Sequence, residues 1–110
     1  MTQINATLPP IYGYMRIERH QSEDTLHSLE AGLRLYAEAQ GYQLVRIFQE
    51  FVPGCHRTFA ALVDQLKRTD AHHVVVPSME HLARHPLLQI HMVIRLELEA
   101  HAEVFEVGDA

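Results

Sequence analysis

The residues of this sequence best suited to chemistry are Arg16 and Glu18, two charged side chains at the end of an apolar and aromatic stretch, residues 11–18. Apolar side chains on both faces are typical of a strand of a parallel sheet covered by helices. Ligands of such open α/β sheets bind at the carboxyl ends of the strands, so we expect both residues near any functional site. The alternative is that Arg16 only forms an ion pair with Glu18 or Glu80.

Histidines suggest a second kind of chemistry. His81 and His85 are four residues apart, a spacing that on a helix places two imidazoles on one face, and Glu80 precedes them. His56 could add a ligand from another loop, but no H-E-x-x-H pattern is present and Pro86 follows His85 at once. We therefore predict no metal site and no cofactor.

Cys55 is the single cysteine and lies next to His56 in a loop. Adjacent loop residues rarely face each other, and no third group is evident to orient them, so an inert thiol is favoured over a nucleophile. One cysteine also excludes an internal disulfide and fits a reducing, cytoplasmic environment.

Composition restricts the function further. The chain has 110 residues, 47% of them hydrophobic, and a formal net charge of −5. This predicts a flexible lead over residues 1–10 and a single packed domain over residues 11–110. An acidic chain argues against a free-standing DNA-binding domain, and no apolar run approaches the ~20 residues of a membrane span. The nine histidines also allow assembly that responds to pH.

Strands and helices alternate along the sequence. Strands are predicted over 11–18, 44–52, 72–77 and 102–107 from their β-branched and aromatic content. Helices are predicted between the N-cap Ser22 and the terminating Gly41, over 59–68, and over 86–98. This order predicts an α/β fold of three layers: a mostly parallel, four-stranded sheet with helices on both faces. The third helix is apolar over so wide an arc that it is either deeply buried or has a partner on its second face.

Three short motifs lie on these elements in order. They are Gly13-Tyr14-Met15-Arg16-Ile17 with Gln21 beyond, then Pro53-Gly54 followed by Arg57, then Glu80-His81-Leu82-Ala83-Arg84. Together they resemble the catalytic domain of the serine recombinases, the resolvase and invertase family. That family's pattern opens with G-Y-x-R-V-S and a nearby Q, continues with an S-G loop before an arginine, and closes with D-R-L-x-R.

The resemblance runs from about Ile11 to the end of the chain and implies a resolvase-like fold. In that family a serine attacks a DNA phosphodiester, and clustered arginines hold the phosphate and stabilise the charge that develops on it. Arg16, Arg57 and Arg84 match those arginines. The resemblance thus implies an anion or phosphate site formed by these three residues.

Several residues depart from the family pattern. Glu18 stands at the nucleophilic serine, Glu80 at an aspartate, His81 at an arginine, and Pro53 at the serine of the S-G loop. A carboxylate at position 18 would repel a DNA phosphate and pair instead with Arg16 or Arg84. The sequence also ends without the long helix and helix-turn-helix with which family members continue.

These departures predict a degenerate site with no catalytic residue, and a domain that is not an enzyme. Its expected role is a protein-interaction or regulatory module, with a protein partner or a second copy of itself and weak or absent DNA binding. The alternative is a DNA- or nucleotide-phosphate-binding protein related to site-specific recombination, which would use the arginine cluster.

Overall fold

The computed structural model describes residues 8–51 and 57–108. Its strands are β1 (Pro10–Ile17), β2 (Gln43–Phe51), β3 (His73–Val76) and β4 (Glu103–Glu106), and its helices are α1 (Glu23–Ala39), α2 (Arg57–Thr69) and α3 (Pro86–Ala100). A short 3₁₀ turn, Met79–His81, follows β3. The four strands are parallel in the order β2-β1-β3-β4, so the predicted fold class is confirmed. None of the helices in these two segments is long and apolar enough to cross a membrane.

The alternation of side chains along β1 divides the core into two layers. Tyr12 and Tyr14 point into the larger cluster, which α2 and α3 cover, whereas Ile11, Met15 and Ile17 point into the smaller one beneath α1. Successive strand residues face opposite sides of a sheet, which explains why this strand is apolar at nearly every position.

Local signals set the ends of the helices. The Ser22 hydroxyl accepts a hydrogen bond from the backbone N–H of Thr25, which caps α1 as predicted. Gly41 adopts a φ of 86°, a left-handed conformation that glycine tolerates without strain, two residues after α1 ends. Pro86 is the first residue of α3, where its missing N–H leaves no helical bond unmade.

Close packing around Gly13 in β1 predicts a stability effect. A Cβ added there would lie 3.1 Å from Cγ1 of Ile47 and 3.2 Å from Cδ1 of Leu33. We expect Gly13→Ala to lower the free energy of unfolding by roughly 1 kcal/mol through overpacking. Gly32, inside α1, has no atom within 4 Å of the added Cβ, so Gly32→Ala is expected to stabilise by up to ~1 kcal/mol. Urea denaturation measures the free energy of unfolding of both variants. A change in the same direction for Gly13→Ala and Gly32→Ala would contradict the prediction.

Candidate functional site

A polar cavity of about 270 Å³ lies at the carboxyl ends of β1 and β3. Two arginines, two glutamates, two histidines and a glutamine line it: Arg16, Arg84, Glu18, Glu80, His20, His81 and Gln21. This is the edge of the sheet where parallel α/β folds bind ligands. Of the three predicted arginines, the structure therefore brings Arg16 and Arg84 together.

Glu18 and Arg84 form an ion pair across this cavity. Nη2 of Arg84 donates to both carboxylate oxygens of Glu18, each at 3.2 Å. The Arg84 side chain is 74% exposed, and that of Glu18 is 22% exposed. An ion pair this open to solvent contributes less than about 1 kcal/mol to stability, because water screens the attraction. Of the two partners that the sequence suggested for Glu18, the structure selects Arg84.

The end of β1 and the loop that follows it are fixed by hydrogen bonds from their backbone. The backbone N–H of Glu18 donates to Oε1 of Gln21 at 2.9 Å, which holds the start of the loop in place. The backbone N–H of Arg16 donates to Nδ1 of His81 at 3.0 Å, which ties the end of β1 to the 3₁₀ turn after β3. Two separate segments of the chain are thus held together at the cavity.

The environment of His81 favours the neutral form of its imidazole. Burial lowers the pKa of its imidazole most, and the positive charge of Arg16 lowers the pKa further, against smaller opposing effects of Glu80 and Glu18. Because Nδ1 accepts the Arg16 N–H, the neutral ring carries its proton on Nε2.

The sequence suggested that His81 and His85 could form a metal-binding pair. In the structure, Nδ1 of His85 instead accepts the N–H of Leu87 and caps α3.

The lowered pKa of His81 predicts how stability depends on pH. With its pKa below the ordinary value of about 6.5, His81 binds a proton more readily in the unfolded chain, so acidification below pH ~6.5 destabilises the fold. We expect His81→Asn, whose Oδ1 still accepts the Arg16 N–H, to lose less stability than the parent between pH 7.5 and 5.5. The midpoints of urea denaturation at pH 7.5 and at pH 5.5 measure this loss of stability. The control is His91→Gln, on the exposed side of α3. Identical pH slopes for parent and His81→Asn would contradict it.

A second cavity, of about 340 Å³, adjoins the first and shares Arg16 and Arg84 with it. Glu50, in register with Arg16 on the neighbouring strand, reaches this cavity and is only 7% exposed. Its Oε1 is buried and has no hydrogen-bond partner in the part of the chain that the structure describes. Burial, and then the negative charge of Glu50, raise the pKa of the adjacent Tyr14 far above its ordinary value. Sequence analysis missed Glu50, although a lone carboxylate between Phe48 and Phe51 in a predicted strand could have indicated it as a candidate site residue.

The other predicted site residues do not join this group. Arg57 is the exposed first residue of α2 and lines neither cavity. Pro53, Gly54, Cys55 and His56 lie outside the described residues. Within residues 8–51 and 57–108, no three His, Cys, Asp or Glu side chains are grouped closely enough to hold a metal ion. Metal ligation by the histidines therefore has no support in this part of the chain.

The solved structures that are similar to this chain include two catalytic domains. The N-terminal catalytic domain of TP901-1 integrase has a TM-score of 0.71 at 17% identity, over 89% of this chain and 76% of that one. The C-terminal catalytic domain of ISC1926 TnpA, an IS607-like serine recombinase, has a TM-score of 0.73 at 16% identity, over 92% and 72%. At these identities the similarity shows the fold alone. No curated protein matches the sequence.

The family model for the resolvase N-terminal domain matches residues 11–109. Serine recombinases of this family are enzymes, so the prediction that the chain is not an enzyme is contradicted. Glu18, Glu80 and His81 suggest a degenerate site from the sequence, but neither the family match nor the structure shows degeneracy. The predicted relation to serine recombinases is confirmed: the chain belongs to the resolvase N-terminal domain family, which is related to site-specific recombination.

Proposed function

We propose that this domain binds a phosphodiester of the DNA backbone in the cavity lined by Arg16 and Arg84. The observation that carries the proposal is the ion pair in which Nη2 of Arg84 donates to both oxygens of the Glu18 carboxylate, an anionic group, at the cavity. Guanidinium groups bind phosphate and carboxylate oxygens in the same way, through charge-assisted hydrogen bonds.

Neighbouring groups support this assignment. Arg16 supplies a second positive charge from the end of β1, and His81, fixed as the Nε2–H tautomer, supplies a neutral donor at the same cavity. Two glutamates in the cavity and the net charge of −5 oppose an anion. We therefore expect weak binding that depends strongly on salt. Each DNA phosphate that a cationic side chain neutralises releases bound counterions, and this makes the binding constant fall as the salt concentration rises.

The test is the binding of a short labelled DNA duplex at 20 mM and then at 150 mM NaCl. Arg84→Ala is expected to weaken binding at low salt by about tenfold, the effect of one charged hydrogen-bonding group. The matched control is Arg68→Ala, which removes an exposed arginine paired with Asp64 on α2, away from the cavity. Equal losses in both variants, or no binding at 20 mM salt by either the parent or a Glu18→Gln variant, would refute a phosphate site at this cavity.

A protein-interaction role is a second candidate, and an exposed stripe on α3 favours it. Leu87, Ile90, Ile94 and Leu98 follow one another at helical spacing, and all four side chains are exposed. We propose a second copy of the chain as the occupant, because two such stripes can pack against each other about a two-fold axis. Four side chains are far fewer than the ~20 residues a side of a specific interface, so the association is expected to be weak.

Light scattering over a range of protein concentrations tests this self-association. The parent is expected to gain mass as its concentration rises, and Ile94→Glu, which places a charge in the middle of the stripe, is expected to remain monomeric. Glu97→Gln on the same helix serves as control. A parent that is monomeric up to millimolar concentration would remove the support for this candidate, because contacts weaker than that are non-specific.

A further inference from the structure

We infer that Glu18 is an internal competitor for the anion site: its carboxylate occupies the place on Arg84 that a phosphate would take and must leave before a phosphate binds. This inference rests on the proposed phosphate binding and adds a regulating residue to the same cavity. It concerns a side chain just after β1 that lines the same cavity as Arg16 and Arg84. The position thus sets how readily the cavity accepts an anion.

The geometry of the pair carries the inference. Both oxygens of Glu18 accept from one nitrogen, Nη2 of Arg84, at 3.2 Å each, so the carboxylate occupies a donor that an incoming phosphate oxygen would otherwise use. The hydrogen bond from the Glu18 backbone to Gln21 fixes the point from which the side chain extends. This anchor places the carboxylate within hydrogen-bonding reach of Arg84.

The pair is also easily exchanged. Most of the Arg84 side chain is open to solvent, so an incoming anion can reach it without moving any strand or helix. Solvent screening makes such a pair weak, and an external anion at sufficient concentration can replace it. The displaced carboxylate stays in the same cavity, where it repels the bound phosphate, so Glu18 weakens binding in two ways.

Glu18→Gln tests this directly, because it removes the charge and keeps the shape of the side chain. At 20 mM salt we expect the variant to bind the labelled duplex about tenfold more tightly than the parent. In an Arg84→Ala background the same substitution is expected to gain less than threefold, since the contested arginine is gone. Glu18→Ala is a second variant with the same expectation, and circular dichroism checks that each variant is folded.

Two further variants separate competition from a general effect of charge. Glu99→Gln removes a carboxylate paired with Arg95 on α3, outside the cavity, and is expected to leave DNA binding unchanged. Glu80→Gln removes a charge that lines the cavity and is expected to tighten binding by less than Glu18→Gln. Equal gains for Glu18→Gln and either of these variants would overturn the competitor role.

The remaining outcomes distinguish the inference from the function on which it rests. If the parent binds through Arg84 and Glu18→Gln binds no more tightly, the competitor role is wrong and the phosphate site stands. If neither the parent nor any Glu18 variant binds DNA, the phosphate site itself is wrong. Tighter binding that requires both the loss of Glu18 and the presence of Arg84 is the expected result.

Discussion

Replacing Leu96 by alanine is expected to lower the free energy of unfolding by about 2–5 kcal/mol. Leu96 lies on α3 with 0% of its surface exposed, inside the larger core cluster with Phe59, Leu62 and Leu66. Truncation removes buried methyl groups and leaves a cavity between α2, α3 and the sheet, which close-packed neighbours fill only in part. Chemical denaturation in urea, with the midpoint converted to free energy, measures the loss.

Leu98 provides the matched control two residues further along α3. Its side chain is 72% exposed on the opposite side of the helix, so the same substitution there is expected to change stability by less than ~0.5 kcal/mol. The comparison holds residue type, helix and chemical change constant and varies burial alone. Similar losses at both positions would mean that the outer side of α3 is also covered in solution, as the self-association candidate requires at high concentration.

The fold could be predicted from the sequence because its signals are local. The two-faced apolar pattern of β1, the Ser22 cap, Gly41 and Pro86 each act within a few residues, and all were recognised. The order β2-β1-β3-β4 could not be read in the same way, because strand order depends on how separate βα units pack together. Only the parallel, helix-covered character of the sheet followed from the alternation of elements.

The candidate site was predictable only in part, for the same physical reason. Arg16 and Glu18 could be placed at the carboxyl edge from strand direction alone, and Arg84 came from the resemblance. The choice of Arg84 over Arg16 as the partner of Glu18 depends on where the segment after β3 lies against β1. The hydrogen bond from the Arg16 N–H to His81 joins residues 65 positions apart, and no local pattern specifies such a contact.

The wrong prediction about catalysis has a different origin. The absence of an activity was inferred from individual residues that depart from the family pattern, above all Glu18 in place of a serine. A substitution changes what one side chain can do, but it leaves the fold, the cavity and the nearby arginines in place. Family membership bears on the whole domain, and it outweighs an argument from a few departing positions.

Glu50→Met is expected to raise the free energy of unfolding by about 1–3 kcal/mol. Glu50 is buried, and its Oε1 has no hydrogen-bond partner among residues 8–51 and 57–108, so the desolvation of this carboxylate oxygen opposes folding. Methionine has a similar length and no charge, and its flexible side chain can fill the same space. Glu97→Met, at an exposed position of α3, is the control and is expected to change stability by less than ~0.5 kcal/mol.

Urea denaturation at pH 7 measures the free energy of unfolding of Glu50→Met and of Glu97→Met and so tests this prediction. Destabilisation by Glu50→Met would mean that attraction to Arg16, its neighbour in register, outweighs the desolvation of the carboxylate. Stabilisation would show that the fold retains a buried carboxylate against its own stability, beside a cavity that Arg16 and Arg84 also line. Such a residue is typical of functional sites, where local rules of stability are broken. The negative charge of Glu50 then acts with that of Glu18 to limit how strongly this edge of the sheet attracts an anion.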